Sequence, residues 1–415
     1  MKIPFRLSAA ALALAFTAGC AAAPASSSVS SSSEPASQPA ATPQAEPAEE
    51  IRAMWISYKE WETMDFSSEA AFTEQAAQLM ANSAELGMNR VLVQVRPFAD
   101  AIYPSELFPW SDLCTGTQGQ DPGYDPLAIL VEQAHSAGLA IEAWVNPYRV
   151  RLNASYPAGE LAADNPAIAH PEWAKEVNGG IYLDPANPDV QAYIADGVQE
   201  ILDNYAVDGI HFDDYFYPTT EESFDEAEYA ASGTDLSLAD WRRENVNSLV
   251  SLVYRTVKES SPTAVFGISP QGNPDNNYNG QYSDVGLWMS TPGYLDYVMP
   301  QIYWGFGYTL KSGSDRFAFE NIVAEWAAMP RADSVALCAG LGAYRIGDGD
   351  GGSNENSTSQ WQTGCNLASQ VEGLRGAGLD GYALYRYASL FDNAAWSDLA
   401  AQECEALRQV NETQA

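Results

Sequence analysis

From residue 51 onward, short apolar runs alternate strictly with segments of helical period. The runs lie at 51–57, 90–96, 140–146, 207–212, 264–269, 296–304, 334–342 and 381–387. Helix candidates follow at 69–87, 126–138, 188–205, 238–260, 284–289, 317–329, 359–377 and 396–409. Several carry end signals. Ser68 stands before the first helix and Gly87 at its stop, and Asn187-Pro188 opens the third. The runs are apolar on both faces, as strands covered by helices must be. Repeated strand-then-helix order specifies a parallel sheet. Eight such units in about 350 residues predict an α/β fold, a (β/α)8 TIM barrel with enlarged loops after its strands. No GxGxxG follows the first strand and no Walker sequence is present, so a nucleotide-binding open sheet has no support.

The segment ahead of the barrel has a different character. Lys2 and Arg6 flank an apolar stretch at 7–16 that is too short to span a bilayer permanently. Thr17-Ala18-Gly19-Cys20 follows, similar to the lipobox of bacterial lipoproteins. That similarity implies a signal peptide at 1–19, lipidation of Cys20 and a membrane-anchored, extracytoplasmic protein. Residues 20–50 then form a Ser-, Pro-, Ala- and Glu-rich stretch that cannot bury enough surface to fold and is expected to act as a tether. The folded domain is expected at 51–410.

The net charge is −35, from 55 acids against 20 Lys and Arg. Such a field repels polyanions, so no nucleic acid is expected as a partner. The chain has three His (His135, His170, His211), and the cysteines after Cys20 lack ligand spacing. No metal site or cofactor is expected, and a monomer is. Sequence leaves any disulfide pairing of Cys114, Cys338, Cys365 and Cys404 open.

In a TIM barrel the chemistry sits where strands end. The fourth strand ends in Phe212-Asp213-Asp214-Tyr215, two adjacent carboxylates at a position where burial of charge is costly unless it is used or paired. Side chains alternate along a strand. His211 and Asp213 share one parity, and the apolar Ile210 and Phe212 share the other with Asp214. Asp213 is therefore expected to face the barrel axis as the reacting carboxylate, with His211 beside it and Asp214 toward the rim. Calcium binding and helix capping are the bland alternatives for the pair. The other strand ends bring Arg96, Trp144, Asn146, Tyr148, Gln301, Tyr303 and Trp304. Aromatic faces stack on sugar rings, while amides and carboxylates bind hydroxyls, so a carbohydrate site is expected. Glycoside hydrolysis needs a second carboxyl. The residues alone leave it open among Asp284, Asp275, Asp184 and Glu142.

Several stretches together resemble one family, the glycosyl-hydrolase-like family 10. They are Val93-Gln94-Val95-Arg96-Pro97, Ala143-Trp144-Val145-Asn146-Pro147-Tyr148-Arg149, Leu183-Asp184-Pro185, residues 208–217, Asp240-Trp241-Arg242-Arg243, Gly267-Ile268-Ser269-Pro270 and Pro300-Gln301-Ile302-Tyr303-Trp304. This family comprises bacterial extracytoplasmic TIM-barrel proteins, among them a cell-division lipoprotein that hydrolyses peptidoglycan strands stripped of stem peptides. The resemblance implies a glycosidase acting on a cell-wall polysaccharide. Its Tyr-x-Asp-x-x-x-Trp run matches Tyr282, Asp284 and Trp288, which raises Asp284 as the second catalytic acid beside Asp213. Arg96, Asn146, Gln301 and Tyr303 are then expected to hold the sugar and Trp144 and Trp304 to stack on it. Tyr148, Asp184, His211, Asp214 and Tyr215 complete the expected substrate contacts. Glu142 departs from the family, which often has His there. The rival reading is a barrel that binds glycan without cleaving it.

Overall fold

The computed structural model describes residues 49–413 except residue 158. The stretch expected to be a signal peptide, Cys20 and nearly all of the expected tether lie outside the described residues. Eight strand positions close into a barrel: β1 (Ile51–Ile56), β2 (Arg90–Arg96), β3 (Ala140–Val145), β4 (Gly209–Phe212), β5 (Val265–Ile268), β6 (Tyr297–Val298 continuing as Gln301–Ile302), β7 (Ala336–Gly342) and β8 (Gly381–Tyr385). Every neighbouring pair is parallel, and β8 pairs with β1 to close the ring. Helices follow each strand as α1 (Glu69–Glu85), α2 (Pro126–Ser136), α3 (Pro188–Asn204), α4 (Leu238–Ser260), α5 (Val285–Ser290), α6 (Phe319–Ala327), α7 (Asn366–Gly376) and α8 (Ser397–Glu412). The TIM-barrel expectation holds.

Local chemistry sets most boundaries. Ser68, Asp125, Asn187 and Ser237 each accept a backbone N–H of the helix they open, and Pro126 and Pro188 stand at first helical positions. Two expected elements break. β6 is interrupted at Pro300, which has no N–H to give, while the N–H groups of Met299 and Gln301 keep the pairing to Ile268 and Pro270. The helix expected over 359–377 splits at Gly364, whose φ of +71° ends a short 3-10 turn. Helix α7 then starts afresh, its first N–H groups bonded by the carboxylate of Glu403 at 2.7 and 3.1 Å. The long loop after β3 contains a small antiparallel sheet (Arg149–Arg151, Ala174–Val177, Gly180–Leu183) that alternation alone did not show. Glu50, assigned to the tether, is clamped by Arg375 at 2.7 and 2.8 Å and belongs to the domain.

There are two cores. The larger fills the space between strands and helices and contains Ile210 and Phe212. The smaller fills the barrel and contains Trp55, Leu92, Trp144, Tyr297, Met299 and Cys338. Large rings fit there because facing positions are small. A Cβ on Gly267 would stand 1.9 Å from the Tyr297 ring, and one on Gly340 would stand 2.6 Å from Trp55. The four described cysteines are free, with Cys365 exposed and the others buried.

Candidate active site

The C-terminal mouth of the barrel holds a cleft of about 460 Å³. Its floor is Trp55 and Trp144, with Ser269 beside them. Asp213, Asp214 and Tyr215 form one wall and Gln301 and Tyr303 continue it. Tyr344, Tyr385, Arg386 and Lys59 complete the opposite side. Tyr303 stacks on Tyr385 with ring centroids 5.7 Å apart.

Strand parity is realised. Asp213 is 3% exposed and faces the cleft. Asn146 donates its amide to both carboxyl oxygens at 3.1 Å. Asn146 is fixed in that orientation because its own Oδ1 accepts the Arg149 N–H. The Tyr215 N–H adds a third bond to Asp213, at 3.2 Å. Burial, and then the charge of Asp214, push the Asp213 carboxyl up to about 7, against the opposing pull of the Arg149 guanidinium. Asp214 is held by neutral amides: Gln301 donates to Oδ1 at 3.0 Å, Gln271 to Oδ2 at 3.0 Å and Gln281 to Oδ2 at 3.5 Å. The cleft thus holds one carboxyl that keeps its proton near neutral pH beside one cradled by donors that suit the anion.

His211 lies beneath the cleft floor. Trp55 Nε1–H can only donate, so His211 Nε2 accepts, at 3.3 Å, and also accepts from Ser269 Oγ at 2.9 Å. The ring proton therefore sits on Nδ1 and is given to Tyr297 Oη at 2.7 Å, and Tyr297 in turn donates to Glu142 at 2.7 Å. Arg90 pairs with the other oxygen of Glu142. Burial, and secondarily the charge of Arg90, lower His211 to about 3, so it is a neutral imidazole that positions the floor. Glu142 is the foot of this column, well away from the mouth, and its partner Arg90 explains why a carboxylate stands at that position.

Other expected residues are placed elsewhere. Asp284 does not line the cleft. It caps α5, accepting the Leu287 N–H at 3.1 Å. Its companions in the Tyr-x-Asp-x-x-x-Trp run are structural as well: Tyr282 accepts from Arg242 at 2.9 Å and Trp288 donates to Asn247 at 2.6 Å. Replacing Asp284 with Ala should lower stability by about 1 kcal/mol, as loss of a cap does, and leave kcat unchanged. A thermal melt and one rate measurement check both.

Arg96 points outward. The β2–β3 register shifts between Gln94 and Arg96, and that bulge turns its guanidinium onto Phe108, 4.1 Å away, under Gly197 of α3. Tyr148 is fully buried in the outer core. Asp184 sits at the end of the small sheet, 3.5 Å from Lys175 Nζ and bonded to the Ala186 N–H. Trp304 turns away from Tyr303 and stacks on Phe317 at 4.8 Å. Sequence reasoning missed Trp55, Lys59 and Tyr344 as lining residues, while Tyr385 and Arg386, at the end of the eighth strand, line the cleft as that strand end implies. Trp55 shares inward parity with Ala53 in a strand already recognised, which was the available signal. Arg149 was also missed as a support: its guanidinium lies 4.5 Å from the Tyr215 ring and holds that wall.

The sequence profile of the family described as "Glycosyl hydrolase-like 10" matches residues 50–361. The chain belongs to the glycosyl hydrolase-like 10 family. Glycosyl hydrolase YngK of Bacillus subtilis is 36% identical over 320 residues, covering 72% of this chain and 61% of that protein. Glycosyl hydrolase DigH of Escherichia coli K12 is 35% identical over 288 residues, covering 63% of this chain and 64% of that protein. The chain therefore spans somewhat under two thirds of the length of these relatives. Among solved structures, the PgaB glycoside hydrolase domain of Bordetella bronchiseptica aligns with a TM-score of 0.56 at 16% identity, over 88% of this chain and 99% of that one. The β-amylase catalytic domain of Paenibacillus polymyxa aligns at 0.55 and 12% identity, over 88% and 98%. Both show the barrel fold.

Proposed function

We propose that this glycosyl hydrolase-like 10 protein is a glycoside hydrolase that works outside the cytoplasm, tethered through lipidated Cys20, and cleaves the glycan strands of peptidoglycan. The observation that carries the reading is Asp213, a carboxyl with a proton available near neutral pH, facing a cleft walled by indole and phenol rings. Aromatic walls with a few directed polar groups suit a sugar ring, and a poised carboxyl suits protonation of a glycosidic oxygen. The lipobox-like 17–20 and the Pro-rich tether support the location, and the names of the relatives support the reaction class.

The rival reading, a barrel that binds glycan without cleaving it, draws on the fact that, among the described residues, no carboxylate from the strands facing Asp213 lines the cleft. New reducing ends and bound strand should therefore be measured together on purified peptidoglycan, with and without stem peptides. Cleavage of stripped strands is expected. Binding at every pH with no new reducing ends favours the rival. Because the proton on Asp213 is required, cleavage should be full well below about pH 7 and fall as the pH rises through that value. A rate that keeps rising above it contradicts Asp213 as donor.

A further inference from the structure

Glycosidases with two catalytic carboxyls place them on opposite sides of the scissile bond, about 5–10 Å apart. In this cleft, among the described residues, both lining carboxylates come from one strand end, on consecutive residues whose Cα atoms are ~3.8 Å apart. The facing side offers Trp55, Tyr344 and Tyr385. Glu60, which pairs with the lining Arg386 on that side, is 3% exposed and also bonded by the Ser57 hydroxyl and the N–H groups of Ser57 and Ala388. Other nucleophiles fail on chemistry. Ser269 is backed by His211, an imidazole held too acidic to act as a base. Burial holds the Tyr303 phenol well above its usual range. Among the described residues, the cleft offers two carboxyls on one side and no protein nucleophile facing them.

We infer that the substrate supplies the nucleophile: the cleft takes a 2-acetamido-2-deoxyhexose, and the carbonyl oxygen of its acetamido group attacks C1. This inference rests on the glycosidase reading of the same cleft. Asp213 gives its proton to the leaving glycosidic oxygen as the C1–O bond breaks. The acetamido oxygen forms the new bond to C1, closing an oxazolinium ring. Asp214, fixed in place by the Gln271 and Gln301 amides, accepts the acetamido N–H and bears against the positive charge that develops on nitrogen. Water then attacks C1, returns a proton to Asp213, and the ring opens to restore the acetamide. Both displacements invert C1, so the product keeps the configuration of the substrate. The acetamido methyl has apolar surface to meet in Trp144 and the stacked Tyr303–Tyr385 pair.

The test uses the wild-type chain on stripped peptidoglycan strands. Retention is expected in the first-formed product by NMR. N-acetylglucosamine thiazoline, a stable mimic of the bicyclic intermediate, should bind at least ~100-fold more tightly than N-acetylglucosamine, as analogues of high-energy species do. Strands whose acetyl groups are replaced by trifluoroacetyl should be cut more slowly, because fluorine weakens the attacking oxygen. Asp214→Asn should keep the fold, retain strand binding and lose kcat rather than KM. An inverted product, equal rates on trifluoroacetylated strands, or a glycosyl ester trapped on a carboxylate by a 2-fluoro sugar overturns the inference while leaving the glycosidase reading intact. Absence of any cleavage by wild type overturns the glycosidase reading and the inference with it.

Discussion

Asp213→Asn is expected to lower glycan cleavage by about 10²–10⁴-fold, the usual contribution of a general acid, and to make the protein more stable. The two effects share one cause. Asp213 is buried next to Asp214, and burial disfavours its anion more than solvent does in the unfolded chain. Its folded pKa stands at about 7 against 3.8 unperturbed. The native state therefore binds the proton more tightly across that window, and stability falls as the pH rises from about 4 to about 7. At 1.36 kcal/mol per unit the loss is at most about 4 kcal/mol. Asn carries no charge at any pH and keeps a partner in Asn146. Thermal unfolding at about pH 4 should find the two proteins similar, and at about pH 8 should find the variant higher, by the same linkage. A wild-type melting temperature that rises over this range relative to the variant would show that Asp213 is held as an anion.

The largest loss of stability is expected at Arg242. This side chain is fully buried in α4 and makes a two-nitrogen contact with Asp225, its Nε at 2.9 and 3.1 Å and its Nη2 at 2.5 Å. It also reaches the carbonyl of Glu221 at 2.8 Å and the hydroxyl of Tyr282 at 2.9 Å. One guanidinium thus joins the long loop after β4, which leads away from the candidate site, to the helix that follows and to the segment before α5. Arg242→Ala leaves Asp225 buried and uncompensated, a change that costs about 3–5 kcal/mol in buried pairs. The double replacement Arg242→Met with Asp225→Leu should cost less than the single one, because no charge is then stranded. Denaturant melts of the three proteins decide this. A single replacement that costs under about 1 kcal/mol would place the pair among those that contribute little, as surface pairs do.

The barrel was legible because its signals are local. Apolar runs, caps such as Ser68 and Asn187, and glycine stops need only neighbouring residues. Parity along the fourth strand placed Asp213 and His211 toward the axis, and the other site residues were legible only as strand ends. Parity fails where the backbone departs from a regular strand. The bulge ahead of Arg96 turned its side chain into the helix layer. Parity in fact separates Trp304 from Gln301 and Tyr303, and the aromatic character of Trp304 obscured that. Lys59 and Tyr344 come from segments after strand ends, where no period exists to aim them. Asp284 misled for a different reason. Its motif has a fixed spacing because a cap, a hydroxyl for Arg242 and an indole for Asn247 must fall at set positions around one short helix.

The central claim is that the Asp213 carboxyl, just past the end of β4, cuts glycan in this cleft, and it is tested most directly by comparing wild type with Asp213→Asn on stripped peptidoglycan strands in one assay. Bound strand and new reducing ends should be counted on the same samples. Wild type is predicted to bind and to release fragments with new reducing ends, and Asp213→Asn to bind comparably and release almost none. Equal release by the two proteins would contradict the account.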